Sequence, residues 1–232
     1  MIVDFRLFLV ITGSFVLIFT GCAPPIQTME IYSNGQAKFA REYKVITNGL
    51  VKDSITVKLI KYYRNGMRQY HQEIINNQAN GQYFSWHSTG VKSAEGRYLN
   101  GELSDKWIWW GKNGLPDSMR TFRNEMLHGE YIDYFGNGKP HKLMEYVENK
   151  KYGYYKEFDE NGKKVSVGEY RNDIPHGNWM WWQNRIKTRE LTYDNGLKNG
   201  PFRIYNKLGK KKIIGRYKNN KKDGKWNWFN DQ

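Results

Sequence analysis

The chain has 232 residues, 37 of them aromatic, and carries a formal net charge of +14. Its single cysteine excludes internal disulfide bonds, and the excess of lysine and arginine favours contact with an anionic surface or partner. After residue 22 no stretch of useful length places apolar residues at helical spacing, which argues against a helical protein.

Residues 1–21 are predicted to form a lipoprotein signal peptide. Thirteen uncharged residues from Leu7 to Phe19 form a hydrophobic segment that is short for a bilayer span and typical of a signal peptide. The segment ends in Phe-Thr-Gly-Cys, which resembles a bacterial lipobox, so Cys22 is expected to carry the acyl chains (palmitate among them). An uncleaved anchor is the alternative, and both interpretations tether the rest of the chain outside the cytoplasm.

Residues 22–34 are expected to form the lipidated cysteine and a linker. By analogy with bacterial lipoproteins, Ala23 in place of aspartate implies the outer membrane. Residues 35–56 are predicted to be a degenerate first repeat, in which Gly35 and Tyr43 match the later copies. Its extra residues around Asn48-Gly49 are expected to extend a hairpin.

Residues 57–232 contain a repeat of 24 residues, with one step of 23. The reference column is glycine in most copies, and three aromatic columns accompany it. These three columns hold 21 aromatic residues in 23 positions, against about four expected from the 16% background, so the period indicates stacked supersecondary units. The reference column is Val57, Gly81, Asp105, Gly129, Gly153, Gly177, Gly200 and Gly224. Two places later stand Leu59, Tyr83, Trp107, Tyr131, Tyr155, Trp179, Phe202 and Trp226. Five places later stand Tyr62, Trp86, Trp110, Tyr134, Phe158, Trp182, Tyr205 and Phe229. The third column is Ile74, Tyr98, Phe122, Tyr146, Tyr170, Tyr193 and Tyr217.

Each repeat is predicted to be a β-hairpin. Asn-Gly pairs follow the second aromatic column, as at Asn137-Gly138, and are expected to form type I′ turns. A second turn, usually containing asparagine, follows the third column, and the runs between turns are rich in strand-forming residues. The predicted fold is therefore all-β: an elongated antiparallel β-meander or solenoid of about seven to eight hairpin repeats, each advancing roughly 10 Å.

Two details of this array are not decided by the pattern. The first two aromatic columns differ by three positions, so either both faces carry aromatics or a bulge realigns them. Between Trp182 and Asn184 one residue is missing, and a different turn type is expected there.

The repeats resemble the bacterial variant of the MORN repeat. The segments that carry this resemblance are VGEYRNDIPHGNW (167–179), EGRYLNGELSDKW (95–107) and IGRYKNNKKDGKW (214–226). The resemblance implies a hairpin array used for contacts with proteins or membranes, and some bacterial relatives are labelled antitoxins of toxin–antitoxin pairs.

The aromatic columns are interpreted mainly as structural, because large side chains supply the buried area that a thin sheet otherwise lacks. Trp109, Trp181 and Trp228 lie outside the columns, and, if exposed, are expected to form an apolar row that binds a partner. The residues assigned a structural role are Trp86, Trp110, Tyr134, Phe158, Trp182 and Tyr205.

The last 33 residues hold ten lysines or arginines and two aspartates, a net charge of +8. Such a basic end is expected either to protect an exposed edge strand or to contact anionic lipid, lipopolysaccharide or an acidic protein. Nucleic acid is not expected as a partner, because the chain is exported. The basic surface comprises Lys210, Lys211, Lys212, Lys218, Lys221 and Lys222.

No catalytic residue, metal site or cofactor is predicted. His128 and His176 share a repeat position but lie two repeats apart, about 20 Å, which is too far for one metal ion. The other histidines, His71, His87 and His141, are isolated in the pattern, and the carboxylates show no paired spacing.

The sequence therefore predicts a non-catalytic, lipid-anchored scaffold of the cell envelope that binds other proteins or the membrane surface. The alternative is an antitoxin or immunity protein that neutralises a cognate toxin.

Overall fold

The computed structural model describes residues 24–49 and 51–230, which divide into two units at Glu102/Leu103. Cys22 and the predicted signal peptide, residues 1–21, lie outside the described residues. All regular structure in the described part is β-strand, which confirms the all-β prediction. The first unit contains β1 (Ile26–Ile31), β2 (Ala37–Asn48), β3 (Val51–Tyr62), β4 (Arg68–Ile75), β5 (Gln78–Trp86) and β6 (Lys92–Leu99). Beginning at the boundary, the second contains β7 (Glu102–Trp110), β8 (Pro116–Arg123), β9 (Met126–Tyr134), β10 (Pro140–Val147), β11 (Lys150–Phe158), β12 (Lys164–Arg171), β13 (Ile174–Gln183), β14 (Ile186–Asp194), β15 (Leu197–Tyr205), β16 (Lys211–Lys218) and β17 (Lys221–Trp228).

Within each unit every strand pairs antiparallel with the strand that follows it. This order is the predicted meander of hairpins, and it follows from turns too short for any other connection. Strands β2 and β3 have 12 residues each and pair as far as Asn48 and Val51, so the additional residues of the first repeat lengthen one hairpin.

Five-residue loops follow the first strand of most repeats, and their geometry corrects the predicted turn type. In the loop after β9, Phe135 N–H donates to Lys139 O and Gly138 N–H donates to Phe135 O, both at 2.8 Å. Gly138 has a φ of 79°, whereas Asn137 is not among the residues with positive φ. A type I′ turn requires positive φ at both central residues, so the prediction of type I′ at the Asn-Gly pairs is wrong. Asn137 Oδ1 instead accepts from Lys139 N–H at 3.0 Å, which holds asparagine in a right-handed turn before the glycine.

The two-residue turns that follow the second strand of each repeat are the type I′ turns. Asn172 and Asp173 have φ of 50° and 65°, and Arg171 pairs directly with Ile174. The shortened connection after β13 adopts the same form, because Asn184 and Arg185 have φ of 50° and 70° between paired Gln183 and Ile186. The different turn type predicted for that connection is therefore confirmed.

A β-bulge recurs at the glycine column. In the first unit Gln72 pairs with Tyr83 and Ile74 pairs with Ala79. The two-residue interval on β4 therefore lies opposite a four-residue interval on β5. Gly81, at the centre of the bulge, has a φ of 114°. The Glu73 carboxylate fills the space beside it and accepts from Gln82 N–H at 2.7 Å. The bulge therefore places one side chain of the preceding strand against a backbone that lacks a Cβ.

Both faces of the second unit carry aromatic side chains. Trp179 and Trp181 stack at 5.8 Å on one side, which we call the front face. Trp182 points to the opposite, back face, where Lys164 Nζ lies 5.9 Å from its ring centre. The first aromatic column therefore lies on the front face and the second on the back, because the extra residue of the irregularity between them, Thr188, belongs to the partner strand.

Trp179 exemplifies the core of the second unit, most of which lies on the front face. Trp179 lies across Gly168 on the neighbouring strand, and its Nε1 donates to Glu169 O at 3.2 Å. Buried aromatic area thus takes the place of a second layer. The buried hydrophobic residues are Ala40, Ile60, Ile74 and Ala94 in the first unit, and Trp107, Met119, Met144, Trp179 and Leu191 in the second.

Candidate binding surfaces

Trp181 is half-buried on the front face and is covered by a cation. The Arg189 guanidinium on the paired strand lies 3.8 Å from the centre of the indole ring. Thr188 is the residue at which the pairing of β13 and β14 is irregular, and its Oγ1 donates to Trp181 O at 3.2 Å. The contact leaves Arg189 exposed above the ring, so this pair presents a positive charge rather than a bare apolar surface.

Trp109 is also half-buried and belongs to a cation–aromatic sandwich. The Arg120 guanidinium lies 5.2 Å from the ring centres of both Trp109 and Tyr131. Arg120 Nε is buried without a hydrogen-bond partner, so the two aromatic faces are its main compensation. Trp109 and Arg120 therefore serve mainly to hold neighbouring strands of the sheet together.

Trp228 differs from the other two, because 63% of its surface is exposed. It stacks beside Trp226 at 6.2 Å, and Lys222 Nζ lies 5.7 Å from its ring centre. The next residue, Phe229, is 44% exposed. The end of β17 therefore offers an aromatic surface with a cation at its border.

The three tryptophans do not form the predicted row. They occupy the same position on β7, β13 and β17, so Trp109 and Trp181 lie six strands apart and Trp181 and Trp228 four strands apart, about 29 and 19 Å. The other repeats put polar or aliphatic residues between them, since only three repeats carry tryptophan at this position. The intervening residues are Asp133, Glu157 and Ile204.

The predicted basic residues lie at the two ends of the last hairpin, and all six are exposed. Lys210, Lys211 and Lys212 border the loop between β15 and β16, whereas Lys218, Lys221 and Lys222 surround the β16–β17 turn. Seven residues of extended strand separate Lys211 from Lys218, or about 24 Å. The hairpin therefore presents two basic clusters, of which the second lies beside Trp226 and Trp228.

The residues predicted to be structural lie near the five-residue loops and are partly exposed. Those in the second unit point to the back face. Three of the six rings, Trp86, Trp182 and Tyr205, have a cation within 6 Å of the ring centre. Arg68 lies 5.6 Å from the Trp86 ring and Lys187 lies 5.8 Å from the Tyr205 ring. None of the six is buried to the extent of Trp107 or Trp179, which are 3% and 6% exposed. The six residues are Trp86, Trp110, Tyr134, Phe158, Trp182 and Tyr205.

Glu190 on the back face is an ionisable group with several hydrogen-bond partners. Burial alone raises the pKa of this carboxyl, but hydrogen bonds from Lys187, Arg203 and Tyr205 outweigh it and hold the pKa below the ordinary value of 4.5. Lys187 Nζ and Arg203 Nη1 donate to its two oxygens at 2.5 and 2.9 Å. Glu190 is therefore a paired anion that joins β14 to β15.

The histidines of the second unit lie apart from one another. His141 Nε2 is 3.8 Å from Glu157, and His176 Nδ1 is 3.9 Å from Asp194. In the described part of the chain no three His, Cys, Asp or Glu side chains are placed to hold a metal ion. Among the same residues no helix is long and apolar enough to cross a membrane.

A cavity of about 840 Å³ lies beside the shortened β13–β14 turn, and the sequence did not predict it. The cavity separates this turn from the five-residue loop that joins β15 to β16. The missing residue between Trp182 and Asn184 was the only sequence signal for it. Its lining residues are Gln183, Asn184, Ile186, Thr188, Tyr205, Asn206, Lys207, Leu208 and Lys212.

Comparison with protein-family models and with curated proteins finds no match to this sequence. The fold and the surfaces therefore carry the functional argument.

Proposed function

We propose that this chain is a lipid-anchored cell-envelope protein of the MORN-variant type, which acts as a non-catalytic scaffold and binds proteins or the membrane surface. The regular hairpin repeats support the assignment to that type. The lipobox-like segment ending at Cys22 supports the anchor, and Ala23 supports an outer-membrane location.

The observation that carries the binding role is the exposed aromatic and basic surface along β17. Trp228 is 63% exposed beside Lys222, and Lys218 and Lys221 lie at the adjoining turn. An indole ring combines an apolar body with a hydrogen-bond donor, which suits the boundary between water and an apolar environment. Nearby lysines each add roughly 1 kcal/mol of attraction to an anionic membrane surface. Together these groups fit a surface that is negatively charged and partly apolar.

Anchoring is tested by mass spectrometry of the protein purified from membranes. We expect the mature chain to begin at Cys22 with acyl chains attached, and Cys22→Ser to prevent both the acylation and the cleavage before residue 22. A Cys22 that is unmodified in the membrane-bound protein would contradict this part of the proposal.

The surface is tested with the Cys22→Ser protein without its signal peptide, so that the lipid does not dominate binding. Phosphatidylcholine vesicles with and without about 30% phosphatidylglycerol serve as probes at about 0.15 M salt. We expect binding only to the anionic vesicles. Lys218→Glu, Lys221→Glu and Lys222→Glu together should weaken it by at least about tenfold.

The matched control is the triple variant Lys106→Glu, Lys112→Glu and Lys150→Glu, which makes the same change in net charge at exposed positions far along the chain. It should bind nearly as well as the parent. An equal loss in both triple variants would assign the attraction to net charge alone and contradict a role for the last hairpin.

A further inference from the structure

Successive five-residue loops are joined by asparagine side chains. Asn113 Nδ2 donates to Gly136 O at 3.2 Å, and Asn137 Nδ2 donates to Glu160 O at 2.9 Å. The first unit repeats this with Asn65 Nδ2 and Ser88 O at 2.9 Å. In each case the asparagine of one loop donates to the second residue of the next loop. We call this series the loop ladder.

The loop ladder is interrupted at the β13–β14 turn. Four residues, 183–186, stand where other repeats have five. Asn184 lies in a two-residue turn, with a φ of 50°, and in the described structure its side chain makes no hydrogen bond to the next loop. The backbone carbonyl of Lys207, second in its loop, is the acceptor that this asparagine would serve. No asparagine amide reaches it in the described structure. The cavity beside the turn lies where this hydrogen bond is missing, with Lys207 on its wall.

The lining of this cavity combines positive charge with apolar surface. Its nine residues include two lysines and no acid. Arg185, Lys210 and Lys211 are close in sequence to lining residues and are exposed. Leu208, which takes the asparagine position of its own loop, is 74% exposed, the most exposed large hydrophobic side chain described. Exposure of a leucine side chain to water is unfavourable in free energy, and contact with an apolar group of a partner removes this cost.

We propose that this cavity binds an acidic turn of a partner polypeptide, which supplies the loop-ladder hydrogen bond that Asn184 does not make. An amide of the turn donates to Lys207 O, its carboxylates face Arg185 and Lys207, and an apolar side chain packs on Leu208 and Ile186. A peptide amide fits the Lys207 carbonyl because it is a donor, whereas inorganic phosphate at neutral pH offers mainly acceptors. The proposal rests on the proposed binding function and names the partner of one surface.

The first test uses a loop graft. Residues 183–186 are replaced by Phe-Gly-Asn-Gly-Lys, the sequence of residues 135–139, which restores the loop length and the ladder asparagine. The probe is a short synthetic peptide of alternating Asp and Glu around a central Leu-Asn-Gly turn, and its Asn/Gln counterpart is the uncharged control. Binding is measured by titration calorimetry, and the binding site is read from NMR shifts.

We expect the acidic peptide to bind the parent protein and to shift the signals of residues 183–188 and 205–212. The loop graft should weaken binding by at least about tenfold while melting at or above the parent temperature, because it adds a hydrogen bond and closes the cavity. A graft that binds as tightly as the parent, or a parent that binds neither peptide, would overturn the proposal. Equal binding of the uncharged peptide would overturn the acidic assignment.

Point variants distinguish peptide binding in this cavity from attraction to the overall positive charge of the chain. Arg185→Glu with Lys207→Glu should weaken peptide binding by about tenfold, whereas Lys218→Glu with Lys221→Glu, which changes the charge equally, should not. Complete displacement of the peptide by inorganic phosphate, or by vesicles containing phosphatidylglycerol, would reassign the cavity to an anionic headgroup. Vesicle binding by the parent and the graft is measured in parallel. If it is absent while the peptide binds, the proposed membrane contact fails and the cavity assignment stands.

Discussion

At the scale of single residues, a glycine and a tryptophan eleven positions apart form a matched pair. A Cβ at Gly168 would lie 2.2 Å from Cδ2 of Trp179, and one at Gly215 would lie 2.3 Å from Cδ2 of Trp226. The same spacing separates Gly96 from Trp107 in the sequence. Repeats with a smaller ring place a larger residue at the earlier position. Those pairs are Gln72/Tyr83, Arg120/Tyr131, Met144/Tyr155 and Leu191/Phe202.

The pair predicts that Gly168→Ala lowers the free energy of unfolding by about 1–3 kcal/mol, because the new methyl group overpacks the indole. Urea denaturation followed by tryptophan fluorescence measures the change. The double variant Gly168→Met with Trp179→Tyr copies the Met144/Tyr155 pair and should recover most of the stability that Gly168→Met alone removes. Additive losses in the double variant would show that the two positions are not coupled.

The Gly–Trp correlation is visible in the sequence, yet its meaning requires the register. Glycines at Gly96, Gly168 and Gly215 alone resemble sporadic breaks in a strand pattern. Only the pairing of neighbouring strands shows that the indole of one strand occupies the space above the glycine of the other. The tryptophans outside the columns could also be identified from the sequence. The arginines that cover two of them lie on neighbouring strands, and a local sequence pattern does not show which residues face each other across strands.

At the scale of the element, the hairpins followed from the sequence and their turn geometry did not. The periodic aromatic columns predicted strands and a meander, because a fixed period with turn residues has few other solutions. The turn type predicted for the five-residue loops was wrong for a local reason. The asparagines of pairs such as Asn113-Gly114 and Asn137-Gly138 use their side chains to join loops and do not have positive φ. Bulges were left open because two columns three positions apart fit more than one register.

The bulge glycines predict unequal costs of substitution. Gly200 has a φ of 132°, outside the range that side chains adopt, and a Cβ there would lie 2.8 Å from the Thr192 Cβ. Gly224 occupies the equivalent position with a φ of 65° and no atom within 4 Å of an added Cβ. Gly200→Ala should therefore destabilise by about 2–4 kcal/mol and Gly224→Ala by about 1 kcal/mol.

Thermal and urea denaturation of the two variants measure this difference directly. Asp105 holds this position with a φ of 61°, so Gly224→Asp is a further control that should be tolerated as well as Gly224→Ala. Equal destabilisation at both glycines would mean that the bulges relax freely and that their φ values do not matter to stability.

At the scale of the whole chain, stability is distributed along the repeats and is not concentrated in one central core. Each strand of the second unit contacts its sequence neighbours, so local contributions add from one hairpin to the next. Positive charge is distributed unequally, since the last 33 residues hold more than half of the net +14. Within the second unit, the end that presents the proposed binding groups has little burial. No residue of β16 or β17 is buried, whereas β10, β13 and β14 contain Met144, Trp179 and Leu191, which are 4–6% exposed.

This gradient predicts graded local opening within the second unit. Amide hydrogens in β16 and β17 should exchange at least about tenfold faster than those in β10 to β14, because fewer buried contacts resist their separation. Hydrogen exchange followed by NMR or mass spectrometry measures the difference. Trp226→Ala, which removes the ring that lies across Gly215, should accelerate exchange in β16 and β17 and leave β10 to β12 unchanged. Uniform protection across the unit, or a Trp226→Ala effect that spreads equally to β10, would show that these strands unfold as one cooperative block.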